Sequence, residues 1–346
     1  MRAAVVLALA AWSLISPSAG AAPLPVGGDV KLGDAFIGSV DDGPSQLTIT
    51  QASDRAVIEW AGFDIAEDHM VVFRQNPNAA VLNIVTGASP SWLDGTLQAD
   101  GSVYLINPYG ITITATGVID TGGAFAAATL RAANAAAFYD GAHLLEFAAQ
   151  PGDPPAAVVN EGLITAQDVL LLGSRVVNAG TITANLGRVA LGSASRATLD
   201  LTGEGFLQVL LPAEAPGYDP LLTNTGTISA DGGLVQLKAA TVYQAFREAI
   251  NMPGEVDARS ATGREGKIIF DGGPGGLVKV DGAVDASPQP SGGPGGFVDI
   301  AGSTVDMYFP NMRLGAGGTF VLTANAIGAK KSLALTTRTR RVSSRA

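Results

Sequence analysis

Val158–Ala166 reads VVNEGLITA, Val176–Ala184 reads VVNAGTITA, and Leu222–Ala230 reads LTNTGTISA. Each copy places Asn third, Gly fifth, Ile seventh and Ala last, so short alternating apolar runs recur around one Asn-x-Gly corner. Alternation of this kind is the mark of a half-buried strand. Asn160 and Asn178 are 18 residues apart, and Asn178 and Asn224 are 46 apart, which reads as two turns with a longer excursion near PAEAPGYDP, Pro212–Pro220. Self-similarity near 20 residues indicates a solenoid whose units bury their apolar face only by stacking. With strands and no regular helix in the unit, an all-β fold of the parallel β-helix type is expected.

Working outward, a second near-copy points the same way. GGPGGLVKVDGAVDASPQPS begins at Gly272 and GGPGGFVDIAGSTVDMYFPN at Gly292, an offset of 20 residues that aligns Val278 with Val298, Val280 with Ile300 and Gly282 with Gly302. A looser copy, GGTFVLTAN, starts at Gly317. The corners are expected to use Gly for positive φ and Asn for its tolerance of it. Asn160, Asn178 and Asn224 are expected to hydrogen-bond as a structural ladder along successive turns. One segment departs from the pattern: in VYQAFREAI, Val242–Ile250, apolar residues fall at helical spacing, which predicts a short peripheral helix over 242–250.

The ends and the composition set the context. The chain opens with Arg2, an apolar run from Ala3 to Ile15, and small residues to Ala21, the layout of a secretory signal peptide over 1–21. That run is shorter than the roughly 20 residues a membrane-spanning helix needs. There is no cysteine, so disulfides and thiolate metal sites are excluded. Net charge is −10, yet six of the 21 basic residues lie from Lys330 onward, leaving 15 basic against 31 acidic residues in the body. So acidic a body argues against nucleic acid as a partner. The basic tail, 330–346, is expected to be disordered.

Chemistry is sparse. His69 and His143 form no ligand motif, and no phosphate loop, nucleophile elbow or zinc-binding helix motif is present, so no metal and no cofactor is expected. Asp41-Asp42 and Glu67-Asp68 are adjacent pairs, whose members point to opposite faces of a strand. Asp257, Asp271, Asp281, Asp285 and Asp299 are spaced to allow long-range pairs of them to converge on neighbouring turns. That convergence is the one opening for a secreted β-helix polysaccharide lyase or hydrolase, the enzymatic alternative.

LINPYGITI, Leu105–Ile113, carries Pro second and Gly fourth in Asn107-Pro108-Tyr109-Gly110, which favours a tight turn between two strands. Here the sequence resembles the secretion domain of the filamentous haemagglutinin family, the exported partners of two-partner secretion. IEWAGFDI (Ile58–Ile65), Val71–Ile111, GGAFAAATL (Gly122–Leu130) and the later Asn-x-Gly-x-Ile turns share the resemblance, which covers about residues 25–325. It implies a right-handed parallel β-helix with an N-terminal cap, secreted or held at the cell surface after passing the periplasm and an outer-membrane transporter. The lack of cysteine suits that route, since a disulfide would lock a loop that a pore must pass extended.

The resemblance further implies a secretion domain over 22–270, continuing β-helix repeats over 271–329, and an adhesin- or haemagglutinin-like exoprotein. A host or cell-surface receptor or glycan is the expected surface partner. Asn83, Asn107, Pro108, Tyr109 and Gly110 are the expected secretion-motif residues. Family members usually carry Asn where Tyr109 stands, so the third side chain is where this chain departs. Family exoproteins are commonly far longer, so a truncated adhesin remnant without effector activity is the third expectation.

Overall fold

The computed structural model describes residues 23–329 apart from 39–44, 185, 203–205, 213–218, 242–247, 291 and 308–310. The signal-peptide segment and the basic tail lie outside the described residues, as does the Asp41-Asp42 pair. Within them the chain winds as the expected parallel β-helix. Three sheets form its sides: sheet I with 11 strands, sheet II with nine and sheet III with 11. A single coil visits them in turn, as Ser102–Ile106 (sheet I), Ile111–Ile113 (sheet II) and Val118–Thr121 (sheet III). Parallel crossovers of this kind wind right-handed as a rule.

Stacking follows the repeats. Val158 lies beside Val176 and Val176 beside Leu222 in sheet II, while Ile164, Ile182 and Ile228 align in sheet III, all wholly buried. Each such side chain contributes up to about 1.5–3 kcal/mol by leaving water. The first end is closed by antiparallel strands: Asp29–Leu32 pairs with Arg55–Trp60, and Ala35–Ile37 with Gln46–Gln51. This is the expected N-terminal cap.

Four readings need correction. First, Asn178 and Asn224 are neighbours in the stack, so the 46 residues between them make one turn, not two. The added length is an excursion that leaves the coil as the antiparallel pair Arg196–Asp200 and Leu207–Leu211. Second, the 20-residue near-copies do not stack. Val278 lies in sheet II against Ile250 and Val305, whereas Val298 lies in sheet I against Ile268 and Phe320. They share corner and strand chemistry on different sides of the coil; only the looser copy stacks on the second, with Phe297 against Thr319 and Ile300 against Leu322.

Third, the segment read as a helix ends in a strand, Glu248–Met252, while 242–247 lies outside the described residues. Ala249 and Ile250 are both buried there, beside an irregularity in the pairing with Leu277–Val280. That local irregularity places two consecutive apolar residues inward, which mimics helical spacing. The described helix is instead Ala135–Tyr139. Fourth, the corner glycines of the Asn-x-Gly turns are not there for positive φ. Gly162, Gly180 and Gly226, and their counterparts Gly254 and Gly282 in the later coils where Met252 and Val280 replace the Asn, are absent from the positive-φ positions, and a Cβ on each from Gly180 onward would strike the carbonyl oxygen of the glycine one coil earlier. Close approach of backbones at the corner selects them.

A second core lies outside the coil. On sheet I the column Val57, Leu82, Tyr104, Ala126, Leu170, Ala190 faces outward, and every member is nearly or wholly buried. A four-stranded antiparallel outer sheet covers it, made of Arg131–Ala132, Leu144–Ala148, Arg196–Asp200 and Leu207–Leu211. Phe138 of the helix and Leu145, Phe147, Ala197, Leu199 and Phe206 pack into this layer. Tyr104 and Phe138 meet edge to face at 5.7 Å, and Arg55 stacks on Phe138 and donates to the carbonyls of Phe138 and Ala142. Where the outer sheet stops, a groove of about 1070 Å³ opens beside Leu210, Lys238 and Asp271.

Candidate functional site

The Asn107–Gly110 corner joins the sheet I strand Ser102–Ile106 to the sheet II strand Ile111–Ile113. Asn107 is wholly buried and every polar atom of its side chain is used. Its Oδ1 accepts from the Tyr109 backbone N–H at 3.0 Å, an Asx turn that sets the local bend. Its Nδ2 donates to the Ser89 carbonyl at 3.0 Å and to Ser91 Oγ at 2.9 Å, both on the preceding coil. The Gly110 N–H donates to the Asn107 carbonyl at 3.1 Å, closing the turn, and the Ser91 N–H donates to the Gly110 carbonyl at 2.9 Å. An amide is the one side chain that accepts and donates twice in this geometry; a carboxylate would face the Ser89 carbonyl with no proton to offer.

Pro108 is buried and fixes the turn's second position. Gly110 has φ +122°, a region that L side chains avoid, although a Cβ there would meet Pro90 and Ala157 only at ordinary contact distance. Tyr109 alone in the corner reaches solvent, at 37% exposure. Its ring lies within electrostatic reach of Arg131, which forms a two-pronged pair with Asp153 at 2.7–3.1 Å. The hydrogen bond to Asp153 holds the Arg131 guanidinium firmly charged. Burial works to raise Asp153, but the bonds from Arg131 and from the Gln150 N–H leave it below the usual carboxylate range.

Asn83 belongs to a different environment. It is wholly buried inside the coil, where Oδ1 accepts from Trp60 Nε1 at 2.9 Å and Nδ2 donates to the Tyr104 carbonyl at 3.4 Å. It anchors the tryptophan beneath the cap, which stacks edge to face on Phe63 at 5.5 Å. The corner residues 107–110 are thus brought together, and Asn83 is bonded elsewhere. Sequence reasoning missed Ser89 and Ser91, the partners of Asn107; the Ser-Pro-Ser run before Trp92 was the available signal.

The asparagine ladder forms as expected. Asn160 Nδ2 donates to Asn178 Oδ1 at 2.7 Å, Asn178 Nδ2 to Asn224 Oδ1 at 2.7 Å, and Asn224 Nδ2 to the Glu255 carbonyl at 3.2 Å.

The five spaced aspartates do not gather at one place; they fall as two pairs on neighbouring turns, with Asp281 apart. Asp257 and Asp285 are neighbours in sheet III, Asp271 and Asp299 lie on sheet I, and Asp281 sits at the corner between sheets II and III. Asp257 is bound by Arg259, which also holds Asp231 at 3.1 Å, while Asp285 accepts from Ser287 and lies 3.5 Å from Arg313. Burial first, then the charge of Asp231, pushes the Asp257 carboxyl up to about 6. Among the described residues no group of His, Cys, Asp or Glu is placed to hold a metal ion.

The model described as the TPS (two-partner secretion) secretion domain matches residues 27–284. A heme/hemopexin-binding protein of Haemophilus influenzae is 31% identical over 259 residues, covering 73% of this chain and 28% of that protein. A second protein of the same name from that organism is 31% identical over 65% of this chain and 26% of its own length. The chain therefore spans about a quarter of the length of the curated relatives it matches. Among solved structures, the HMW1 secretion domain from Haemophilus influenzae superposes with a TM-score of 0.74 at 28% identity, covering 89% of this chain and 82% of that one.

Proposed function

Because the chain belongs to the TPS secretion domain family, we propose that it is the export-directing region of an exoprotein that a dedicated outer-membrane transporter passes from the periplasm. Family exoproteins are secreted or surface-associated, and the relatives found are named as heme/hemopexin-binding proteins and as the HMW1 secretion domain. In this reading the coils display an adhesive surface toward a host or cell-surface receptor or glycan. The transporter is the partner on the way out.

The observation that carries the reading is the Asn107–Gly110 corner, built into the first coils of the stacked helix with its asparagine bonded across two of them. A partner meeting the folded corner has Tyr109 and backbone to touch, because Asn107 and Pro108 are buried. The motif then acts through the turn it makes, or on the chain before the turn closes. Co-expression with and without the cognate transporter tests this by measuring released protein. Release that needs the transporter, and that falls in Asn107→Ala by more than its loss of folding stability explains, is the expected result. Equal release of Asn107→Ala and the parent removes the motif's role.

A further inference from the structure

The outer sheet is assembled from two separate stretches of chain, and neither makes a stable unit alone. The first leaf, Arg131–Ala148, holds a five-residue helix and two short strands paired as Arg131 with Ala148 and Ala132 with Phe147, extended by the Ala133 N–H to the Glu146 carbonyl and by the Asn134 amide to Leu144 and Glu146. The second leaf is the hairpin Arg196–Asp200 with Leu207–Leu211, whose pairing is irregular at Arg196/Ala197. An isolated two-stranded ribbon is marginal in water. The leaves join along Leu144–Ala148 and Arg196–Asp200, in antiparallel register from Leu144 with Asp200 to Ala148 with Arg196.

Between the leaves the chain completes the coil strands from Ala157–Asn160 to Arg188–Ser193. Those coils can stack without the outer sheet, since their inner contacts, such as Ile164 with Ile182 and Asn160 with Asn178, lie on the other sides of the helix. The first leaf alone covers only part of the outward column, where Phe138 meets Tyr104 and Arg55, and the cover is complete when the second leaf adds Ala197, Leu199 and Phe206.

We propose that the outer sheet is a two-leaf clasp that closes as one late step. The coils stack first, the first leaf is held only through Phe138 at Tyr104 and Arg55 while its strand Leu144–Ala148 lacks its partner, and the second leaf completes the sheet and buries the second core. Arg188 marks the second leaf's docking point: it pairs with Asp168 at 2.6 Å on sheet I and stacks 4.3 Å from the Phe206 ring. On the export reading of the preceding section, which supplies its biological use, closure commits the domain only after Leu211 has emerged. The folding order itself does not depend on that reading.

Pulse-labelling hydrogen exchange during refolding of the purified full chain tests the clasp. Amides of Leu163–Thr165 and Thr181–Thr183 are expected to gain protection first. Those of Leu144–Ala148 and Arg196–Asp200 should follow together, roughly tenfold more slowly, as non-local pairing requires. Protection of Leu144–Ala148 ahead of Arg196–Asp200, or of all four segments at once, overturns the proposal. A second arm uses Ala197→Asp, which places a charge at a wholly buried position of the second core. Loss of protection in both leaves with the coils retained supports the clasp; loss confined to Arg196–Asp200, or loss across the coils, overturns it. Transporter-independent release of the parent chain would count against the export reading alone, because the refolding result stands apart from it.

Discussion

The outward face of sheet I is apolar throughout the early coils and mixes polar and charged residues with apolar ones in the late coils, along one continuous column. Leu82, Tyr104, Ala126, Leu170 and Ala190 are followed by Gln236, Ile269, Asp299 and Val321. The neighbouring column changes at the same place, from Ile84, Ile106, Ala128 and Leu172 through Gly192 to Lys238 and Asp271. Inside the coil the polarity runs the other way. The early corner holds the buried Asn160, Asn178 and Asn224, while the late coils carry Met252, Val280 and Met307 along sheet II. One winding geometry thus supports two chemistries: covered coils with a polar seam inside, and bare coils with an apolar interior and a mixed surface. Sheet stacking needs only an inner apolar face; whether the outer face is apolar depends on what covers it.

The largest effect should separate the two halves directly. Leu170→Ala removes a side chain buried under the outer sheet and is expected to cost about 2–4 kcal/mol. Val321→Ala, at a half-buried position of the same column on a late coil, should cost less, about 1 kcal/mol or below. Urea midpoints followed by circular dichroism measure both. Equal losses would mean that the late face is covered as the early one is, and would erase the distinction.

The sequence made the inner face far easier to read than the outer one. The 18-residue spacing of Asn160 and Asn178 is a true coil length because that coil has no excursion, so repeat and stack coincide. The 20-residue spacing of the GGPGG segments is a coincidence of similar corners at different sides of the coil, since turn lengths vary while strand chemistry does not. The second core left a signal in AFAAA, DVLLLG and RVALGS, strands buried on both faces that show no alternation. What covers them could not be read, because the leaves come from distant stretches and pair only in three dimensions. At Asn107 the turn was legible from Pro108 and Gly110, but the bonds to Ser89 and Ser91 cross coils and leave no local mark.

A middle-sized effect tests the polar seam. Asn178→Ala leaves Asn160 without its acceptor and Asn224 without its donor in a buried place, and is expected to cost about 2–3 kcal/mol. Replacing Asn160, Asn178 and Asn224 together by Val makes the early corner resemble the late one. That triple change should recover part of the loss, because the amide-to-amide partners go together, while the Gly162 N–H and the Glu255 carbonyl lose a side-chain bond. Denaturant midpoints of the single and triple variants decide between a seam that stabilises as a unit and three independent residues. A triple variant much weaker than the single one would show that the asparagines also set the stacking register.

The smallest effect concerns charge on the late coils. In sheet III the outward column runs Thr165, Thr183, Ser229 in the early part and then Asp257, Asp285, Arg313. Burial and the neighbouring Asp231 raise the Asp257 carboxyl to about 6, against the opposing pull of Arg259. A carboxyl raised in the folded state binds its proton more tightly there than in the unfolded chain. Its contribution is therefore full below the ordinary Asp value of about 4 and is lost as pH rises through about 6. Asp257→Asn removes that loss. The variant should match the parent near pH 4 and exceed it by about 1 kcal/mol near pH 8, once solvent screening is allowed for. Urea midpoints at the two pH values measure the difference. A parent more stable than Asp257→Asn near pH 8 would mean that the pairing with Arg259 outweighs burial and the Asp231 charge, and that the charged coils are held by attraction rather than merely tolerating repulsion.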